Sequence, residues 1–347
     1  VADHRQEDTH MEIQRSRLSR GILWAALSAL AFLAGSSTAF AQTQKWVATW
    51  ATSMQGTLAP PLAGYGPAVD AYFPQPDLSF ALPNSAASNQ SFRMIVKPDL
   101  WGPTVRIRLS NAFGSQPVNF SAAAIALQDY QANIMPRTST TVRFSGATSV
   151  LVQPGTSVLS DPVTLAFVNP ANLSNVTGRN LAVSFAVAGS TGPITFHLGT
   201  YTTGYVSAPN SGNVTTALDD TAFPYTTTSS LFLNEVDVMA PTDTAVIVAF
   251  GDSIAEGSFT TINGNDRWLN VMSRKLHQQL GNKVSVVNAG IAGNMVVSSV
   301  ATPSAVDRVN RDVIQLAGAS HVIWMQASTT WASCRHRPAR SRLATFK

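Results

Sequence analysis

Two architectures in tandem are predicted by the sequence: an all-β, jelly-roll-like sandwich over residues 42–240, then an incomplete α/β domain of flavodoxin-like type, three strands only, over residues 241–325. Three observations carry this. Short alternating or β-branched runs recur through the first region, separated by turn residues and uninterrupted by any amphipathic helical stretch of useful length. Beyond residue 244 the pattern switches to β-α-β-α-β, the signature of a parallel sheet with right-handed crossovers. The first strand of that second pattern ends in Gly251-Asp-Ser-Ile254, and a serine at a strand tip is where an open α/β sheet places its chemistry.

The strands of the first region are read at Trp46–Trp50, Phe92–Val96, Val105–Leu109, Val118–Ala126, Thr140–Phe144, Leu181–Val187 and Ile194–Leu198. Asn111-Ala-Phe-Gly114, Gln153-Pro-Gly155, Ser160-Asp-Pro162 and Asn169-Pro170 supply the turns. Strands at this spacing build antiparallel sandwiches. Trp46, Trp50, Trp101, Tyr201 and Tyr205 could line a sugar-binding face, and core or edge packing is the expected role of each.

Met239-Ala-Pro-Thr-Asp-Thr244 reads as a linker, and Ala245–Phe250 as a buried strand. Asp266–Leu280 reads as a helix, with Trp268, Leu269, Met272, Leu276 and Leu280 on one broad face and Gly281 as its C-cap. A second strand is expected at Val284–Val287. A second helix is expected at Pro303–Leu316, with Val306, Val309, Val313 and Leu316 at helical spacing, and a third strand at Val322–Met325.

Of 347 residues, 45% are hydrophobic and only 12% charged, enough apolar surface for real cores and a balance that suits a secreted protein. The single cysteine, Cys334, excludes an internal disulfide framework. Basic residues exceed acidic ones overall, but residues 334–347 hold five Lys or Arg and no acid. Outside that tail and residues 1–41, 14 basic residues face 15 acidic ones. The positive charge therefore sits in a tail and not on a domain face, which argues against a nucleic-acid partner.

The N-terminal region reads as an upstream extension (residues 1–10) and a bacterial-type signal peptide from Met11. Arg15, Arg17 and Arg20 precede an apolar stretch, Gly21 to Gly35, and Ala39-Phe-Ala41 is an A-x-A cleavage site. Mature protein would begin near Gln42, secreted or periplasmic. The apolar stretch is short for a bilayer span, so no membrane span is expected after cleavage.

Gly251-Asp-Ser-Ile254 and Asn288-Ala-Gly-Ile-Ala-Gly-Asn294 resemble the first two signature blocks of the SGNH (GDSL) hydrolases. Asp266-Arg-Trp268, Val306-Asp-Arg308 and Arg311-Asp-Val313 are similar to that family's connecting segments. The front region, from Trp46-Val-Ala-Thr-Trp50 through Arg106-Ile-Arg-Leu-Ser-Asn111, is similar to the β-domain of a secreted branch. The resemblance implies that Ser253 is a nucleophile attacking an acyl carbonyl. Its backbone N–H and that of Gly293 would bind the oxyanion. Glycine suits the latter position because the backbone must approach substrate without a Cβ in the way. Asp252 and Asn288 are expected to brace the loops. Neither metal nor organic cofactor is implied, and the histidines lack ligand spacing.

The family needs two further elements: a Gly-x-Asn-Asp block after the third strand, whose Asn is a third oxyanion donor, and a later Asp-x-x-His, whose His is the general base. After Val322-Ile-Trp-Met325 the chain reads Gln-Ala-Ser-Thr-Thr-Trp-Ala, without Asn or Asp. Its histidines are His4, His10, His197, His277, His321 and His336, none in such a block. His197, His277 and His321 are expected to be structural, and His336, in Cys-Arg-His-Arg-Pro, is not expected to be the base.

The genetic code offers an account. Gln326 to Ala332 can be encoded as CAG-GCA-TCA-ACG-ACC-TGG-GCA. Starting from the last base of the Gln codon, the same string reads Gly-Ile-Asn-Asp-Leu-Gly, the missing block. A one-base deletion near the Gln326 codon is therefore expected, with residues 326–347 an out-of-frame tail. The function expected is a secreted serine esterase acting on small-molecule or polysaccharide acyl esters, carbohydrate acetyl esters among them, and impaired in the chain as it stands. The alternatives are a non-catalytic carbohydrate-binding or adhesion protein, and an acyltransferase or thioesterase using the same serine. Oligomeric state is not legible.

Overall fold

A computed structural model describes residues 43–56, 86–299 and 302–326. The expected signal peptide, the cleavage site, His4, His10, and residues 327–347 with Cys334 and His336 lie outside the described residues.

Six long strands form the frame of a two-sheet sandwich: β1 (Gln44–Ala51), β2 (Ser91–Val96), β3 (Thr104–Ser110), β4 (Val118–Leu127), β5 (Leu181–Ala188) and β6 (Leu233–Pro241). One sheet runs β1-β6-β3, with Ser157–Leu159 and Val163–Thr164 on the far side of β3. The other runs Tyr225–Thr227, Gly204–Val206, β2, β5, β4, with Thr140–Thr141 and Val150–Val152 beyond β4. Every pairing in both is antiparallel.

Strand β3 shows how the period-2 pattern works. Val105, Ile107 and Leu109 point into the core. The alternating Arg106 and Arg108 point outward and meet Asp237 and Glu235 of the neighbouring β6 at 2.7 and 2.6 Å. Between the sheets, Phe92, Phe120, Phe185 and Phe232 form a fully buried quartet with ring centroids 5.3–6.3 Å apart, mostly edge-to-face as the aromatic quadrupole favours.

Three local expectations change. Thr140–Phe144 is a strand only at Thr140–Thr141, because Phe144 turns back to bridge Ala147. Within Ile194–Leu198 only Phe196–His197 pairs, against Ser230–Leu231, with Phe196 also bridging Gln55. The supposed linker is half strand: Met239, Ala240 and Pro241 pair with Trp46, Lys45 and Gln44. Only a tight turn remains, closed by Thr244 N–H to the Pro241 carbonyl at 3.0 Å. Pro241 is tolerated because it ends its strand.

The second pattern yields β7 (Ala245–Gly251), α1 (Ser253–Glu256), α2 (Trp268–Leu280), β8 (Val284–Gly290), α3 (Ala305–Val309) and β9 (Ala319–Met325). The sheet is parallel, in the order β8-β7-β9. Helix α2 starts two residues later than expected because Asp266 folds back to accept the Thr261 N–H. The second helix is shorter than expected. Ser304 caps it, and after Val309 the chain widens into a π-helical turn, Asn310–Ile314. Among the described residues β9 pairs on one side only, and Val322 and Trp324 stand about half exposed on it.

The described residues from Gln44 onward form one compact unit. The parallel sheet leans on β1: Ala48 N–H donates to the Ala317 carbonyl at 2.8 Å, and Ser285 Oγ donates to the Ala48 carbonyl at 2.7 Å. Asp99 is the main polar anchor, accepting from Val286 N–H and Ser273 Oγ and pairing with His277 at 3.1 Å.

Candidate active site

The order β8-β7-β9 has a consequence for function. The chain leaves β7 to one side to form β8, then crosses back to form β9 on the other. The carboxyl ends of β7 and β9 therefore flank a topological switch point, the place where open α/β sheets bind their ligands. Ser253 is the first residue of α1, separated from the end of β7 only by Asp252.

The local sequence produces this tip. Gly251 has φ +152°, and a Cβ there would lie 1.8 Å from the Met325 carbonyl oxygen, so only glycine lets β9 close on β7. Asp252 caps α1, its Oδ1 accepting the Ile254 N–H at 3.0 Å, and its own N–H donates to the Met325 carbonyl at 3.2 Å. Ser253 is half-buried. Among the described residues no group hydrogen-bonds its hydroxyl. Gly257, φ +94°, ends the one-turn helix.

Asn288 and Gly293 arrive at the same end from β8. Asn288 Nδ2 donates to the Glu256 carbonyl at 2.9 Å, and its Oδ1 accepts the Gly290 N–H at 2.8 Å, so it ties α1 to the end of β8. At Gly290 a Cβ would lie 2.1 Å from the Glu256 nitrogen, which shows how closely helix and strand approach. Ile291 N–H then donates to the Gly251 carbonyl at 3.0 Å, and a turn closed by Asn294 N–H to the Ile291 carbonyl carries Gly293 at φ +74°. The fold thus brings Asp252, Ser253, Asn288 and the Gly293 loop to one strand-end cluster.

Two buried charged groups that the sequence reading gave no role hold this cluster. Arg308, 1% exposed, donates to the Gly251 and Ala289 carbonyls at 2.7 Å each, to Asn294 Oδ1 at 2.9 Å, and to Asp312 and Ser53. Its guanidinium also lies 4.2 Å from the Phe250 ring centroid. Burial lowers its pKa to about 10, so it stays charged at neutral pH and clamps the ends of β7 and β8.

Glu256, fully buried, is the other group. Its Oε1 accepts the Ala292 N–H at 3.1 Å and lies 3.3 Å from His197 Nε2, and its Oε2 accepts from Ser258 Oγ at 3.1 Å. Burial pushes the Glu256 carboxyl up to about 7 and the His197 imidazole down to about 4. His197 Nδ1 is 2.8 Å from the Ser53 carbonyl, which fixes a proton on Nδ1 and turns Nε2 toward Glu256. The signal was faint: Glu256 sits three residues after Ser253 with nothing local to mark it, and His197 lies in the sandwich, far away in sequence.

The other described histidines sit elsewhere. His277 bonds Asp99 and the Gly281 carbonyl, and His321 is exposed on β9. Of the aromatics expected to pack, with a sugar-binding face as the alternative, Trp50 and Trp101 pack on the core, Trp46 lies under Arg106, and Tyr201 is 7% exposed. Among the described residues no group of three His, Cys, Asp or Glu side chains is placed to hold a metal ion, and no helix is long and apolar enough to cross a membrane.

No family model and no curated protein matches the chain. Among solved structures it aligns with one titled as an active site mutant of a family two carbohydrate esterase from Clostridium thermocellum in complex with celluohexase. The alignment has 12% identity and covers 68% of this chain and 56% of that one, with a TM-score of 0.17. That score assigns neither a fold nor an activity to this chain.

Proposed function

We propose that this protein derives from a secreted serine ester hydrolase of the SGNH kind, with an N-terminal jelly-roll-like domain, acting on small-molecule or polysaccharide acyl esters. The observation that carries this reading is the position of Ser253, at the switch point of a parallel sheet and on the first turn of a helix. There its hydroxyl is free of hydrogen bonds among the described residues. In this reading Ser253 attacks the acyl carbonyl, and its own N–H and that of Gly293 receive the oxyanion. Exposed Ile254 and Phe259, one and six residues on, offer apolar surface to an acyl group.

The third donor and the base belong to the sequence hidden in the other reading frame. The Asp252 N–H to Met325 carbonyl bond supports this, since it puts the end of β9 beside the start of α1. A Gly-Ile-Asn-Asp block there would start at the site itself. A chain without that block lacks one oxyanion donor, worth roughly 10²–10³ in rate.

The test compares p-nitrophenyl acetate and butyrate hydrolysis by this chain, by the frame-restored protein and by its Ser253→Ala variant. Hydrolysis only by the restored protein with Ser253 intact supports the reading. Equal activity with and without Ser253 would refute it, as would coding DNA in which no single-base insertion near the Gln326 codon restores the block and a downstream Asp-x-x-His. Acyl transfer to an added alcohol in preference to water would make it an acyltransferase.

A further inference from the structure

A second site lies on the sandwich, apart from the strand-end cluster. It is a cleft of about 780 Å³ where the second sheet meets the loop that follows α1, within the roughly 300–1,000 Å³ of small-ligand sites. We propose that this cleft binds a neutral saccharide chain, which lies across Tyr130 and Tyr205 and is held by Gln131, Asn180 and Asn263.

The lining has the chemistry of polyol recognition. Tyr130 is 67% exposed at the tip of the turn after β4 and lines the cleft, an aromatic ring of the kind that stacks on the C–H side of a sugar. That turn is rigid: Gln128 Nε2 donates to the Gln131 carbonyl at 2.6 Å, Asn133 N–H to the Tyr130 carbonyl at 2.8 Å, and Asn180 Nδ2 to Gln128 Oε1 at 2.7 Å. Tyr205 is nearly buried in the floor. Burial, with Tyr130 and Asp220 alongside, pushes its phenol up to about 12, so it remains a donor. The floor also holds Phe223, fixed by the Arg93 guanidinium 4.3 Å from its centroid. Side-chain amides both donate and accept, which matches the alternating roles of vicinal hydroxyls.

The opposite wall comes from the loop after the nucleophile helix. Asn263 is pinned there by bonds to Thr203 on both amide atoms, at 2.8 and 2.9 Å, and by its N–H to the Tyr201 carbonyl at 2.8 Å. Charge selects the ligand class. Lys97 stands against Asp129 and Asp220 in the lining, a balance that disfavours phosphates, uronates and nucleic acid, while the wealth of amides and hydroxyls disfavours lipid. The cleft needs no catalysis, so this inference goes beyond the ester reading and stands whether or not Ser253 is a nucleophile.

Calorimetric titration of the chain with cellohexaose, xylohexaose and mannohexaose, and with polygalacturonate as the acidic counterpart, tests it. At least one neutral hexasaccharide should bind with a dissociation constant tighter than about 10 mM. Tyr130→Ala should weaken that binding about tenfold or more, whereas Tyr130→Phe, which keeps the ring, should stay within about threefold. Circular dichroism identical to wild type shows that the variants fold. No binding by any neutral hexasaccharide, binding unmoved by Tyr130→Ala, or a preference for polygalacturonate would each overturn the proposal.

Discussion

The buried Glu256–His197 pair makes a quantitative prediction about pH. Glu256 titrates near its ordinary 4.5 when unfolded and at about 7 when folded. Above 4.5 the folded state alone keeps that proton, so this group makes stability fall as pH rises toward 7. His197 does the opposite, with a folded pKa of about 4 against an ordinary 6.5. Below 6.5 the unfolded state alone binds its proton, so stability rises with pH up to 6.5. Between pH 4.5 and 6.5 each state carries one proton on the pair, and the two slopes cancel. Replacing His197 with Gln removes one slope and leaves the other, because burial is the main cause of the Glu256 shift. At 1.36 kcal/mol per unit, the variant should lose about 3 kcal/mol relative to wild type across those two pH units. Urea unfolding followed by tryptophan fluorescence, at half-unit pH steps for both proteins, measures the difference. Every other titrating group is common to both and drops out. Parallel stability curves from pH 4.5 to 6.5 would show that the pair holds no shared proton.

Further outcomes follow from the same geometry. Ser253→Ala in the frame-restored protein should abolish p-nitrophenyl acetate hydrolysis and leave the melting temperature unchanged, since the hydroxyl bonds to nothing described; a lowered melting temperature would give Ser253 a structural role. Gly251→Ala should destabilise by roughly 1–3 kcal/mol from backbone strain alone, and more from the clash with the Met325 carbonyl, read as a fall in the urea midpoint; an unchanged midpoint would mean β9 does not close on β7. Arg308→Met removes one partner of a buried ion pair and should cost about 3–5 kcal/mol; a cost under about 1 kcal/mol, typical of exposed pairs, would count against the clamp. His277 has its pKa raised chiefly by its bond to Asp99, so this pair stabilises at pH below 6.5 and loses its effect as pH rises through the raised value. Asp99→Asn should bring the His277 midpoint down in an NMR titration, and an unmoved midpoint would mean the contact is absent.

Much of the strand pattern was legible in the sequence because it is a local signal. Alternation in Thr104–Ser110 places Val105, Ile107 and Leu109 inward whatever the rest of the chain does, and the unbroken apolar run at 245–250 marks a strand buried on both faces. Strand edges were harder. Pro241 and the residues before it read as a linker because their partners, Gln44 to Trp46, lie some two hundred residues upstream. The start of α2 moved by two residues because the Asp266 side chain accepts the Thr261 N–H in place of entering the helix. At the candidate site the residues pointed to by the family resemblance, Ser253, Asp252, Asn288 and Gly293, come together at one end of the parallel sheet, and the resemblance gave no base among the histidines.

By itself the sequence determined the alternation that makes a sandwich, the strand that throws out Ser253, and the glycines that let backbone approach backbone, since each depends on neighbours a few residues away. Tertiary structure alone decided that Arg308 reaches Ser53, 255 positions earlier, that Glu256 meets His197, and that Tyr130 and Asn263 face one cleft. Those contacts join elements of different sheets, and their energies come from burial and charge, which exist only once the chain has closed around them.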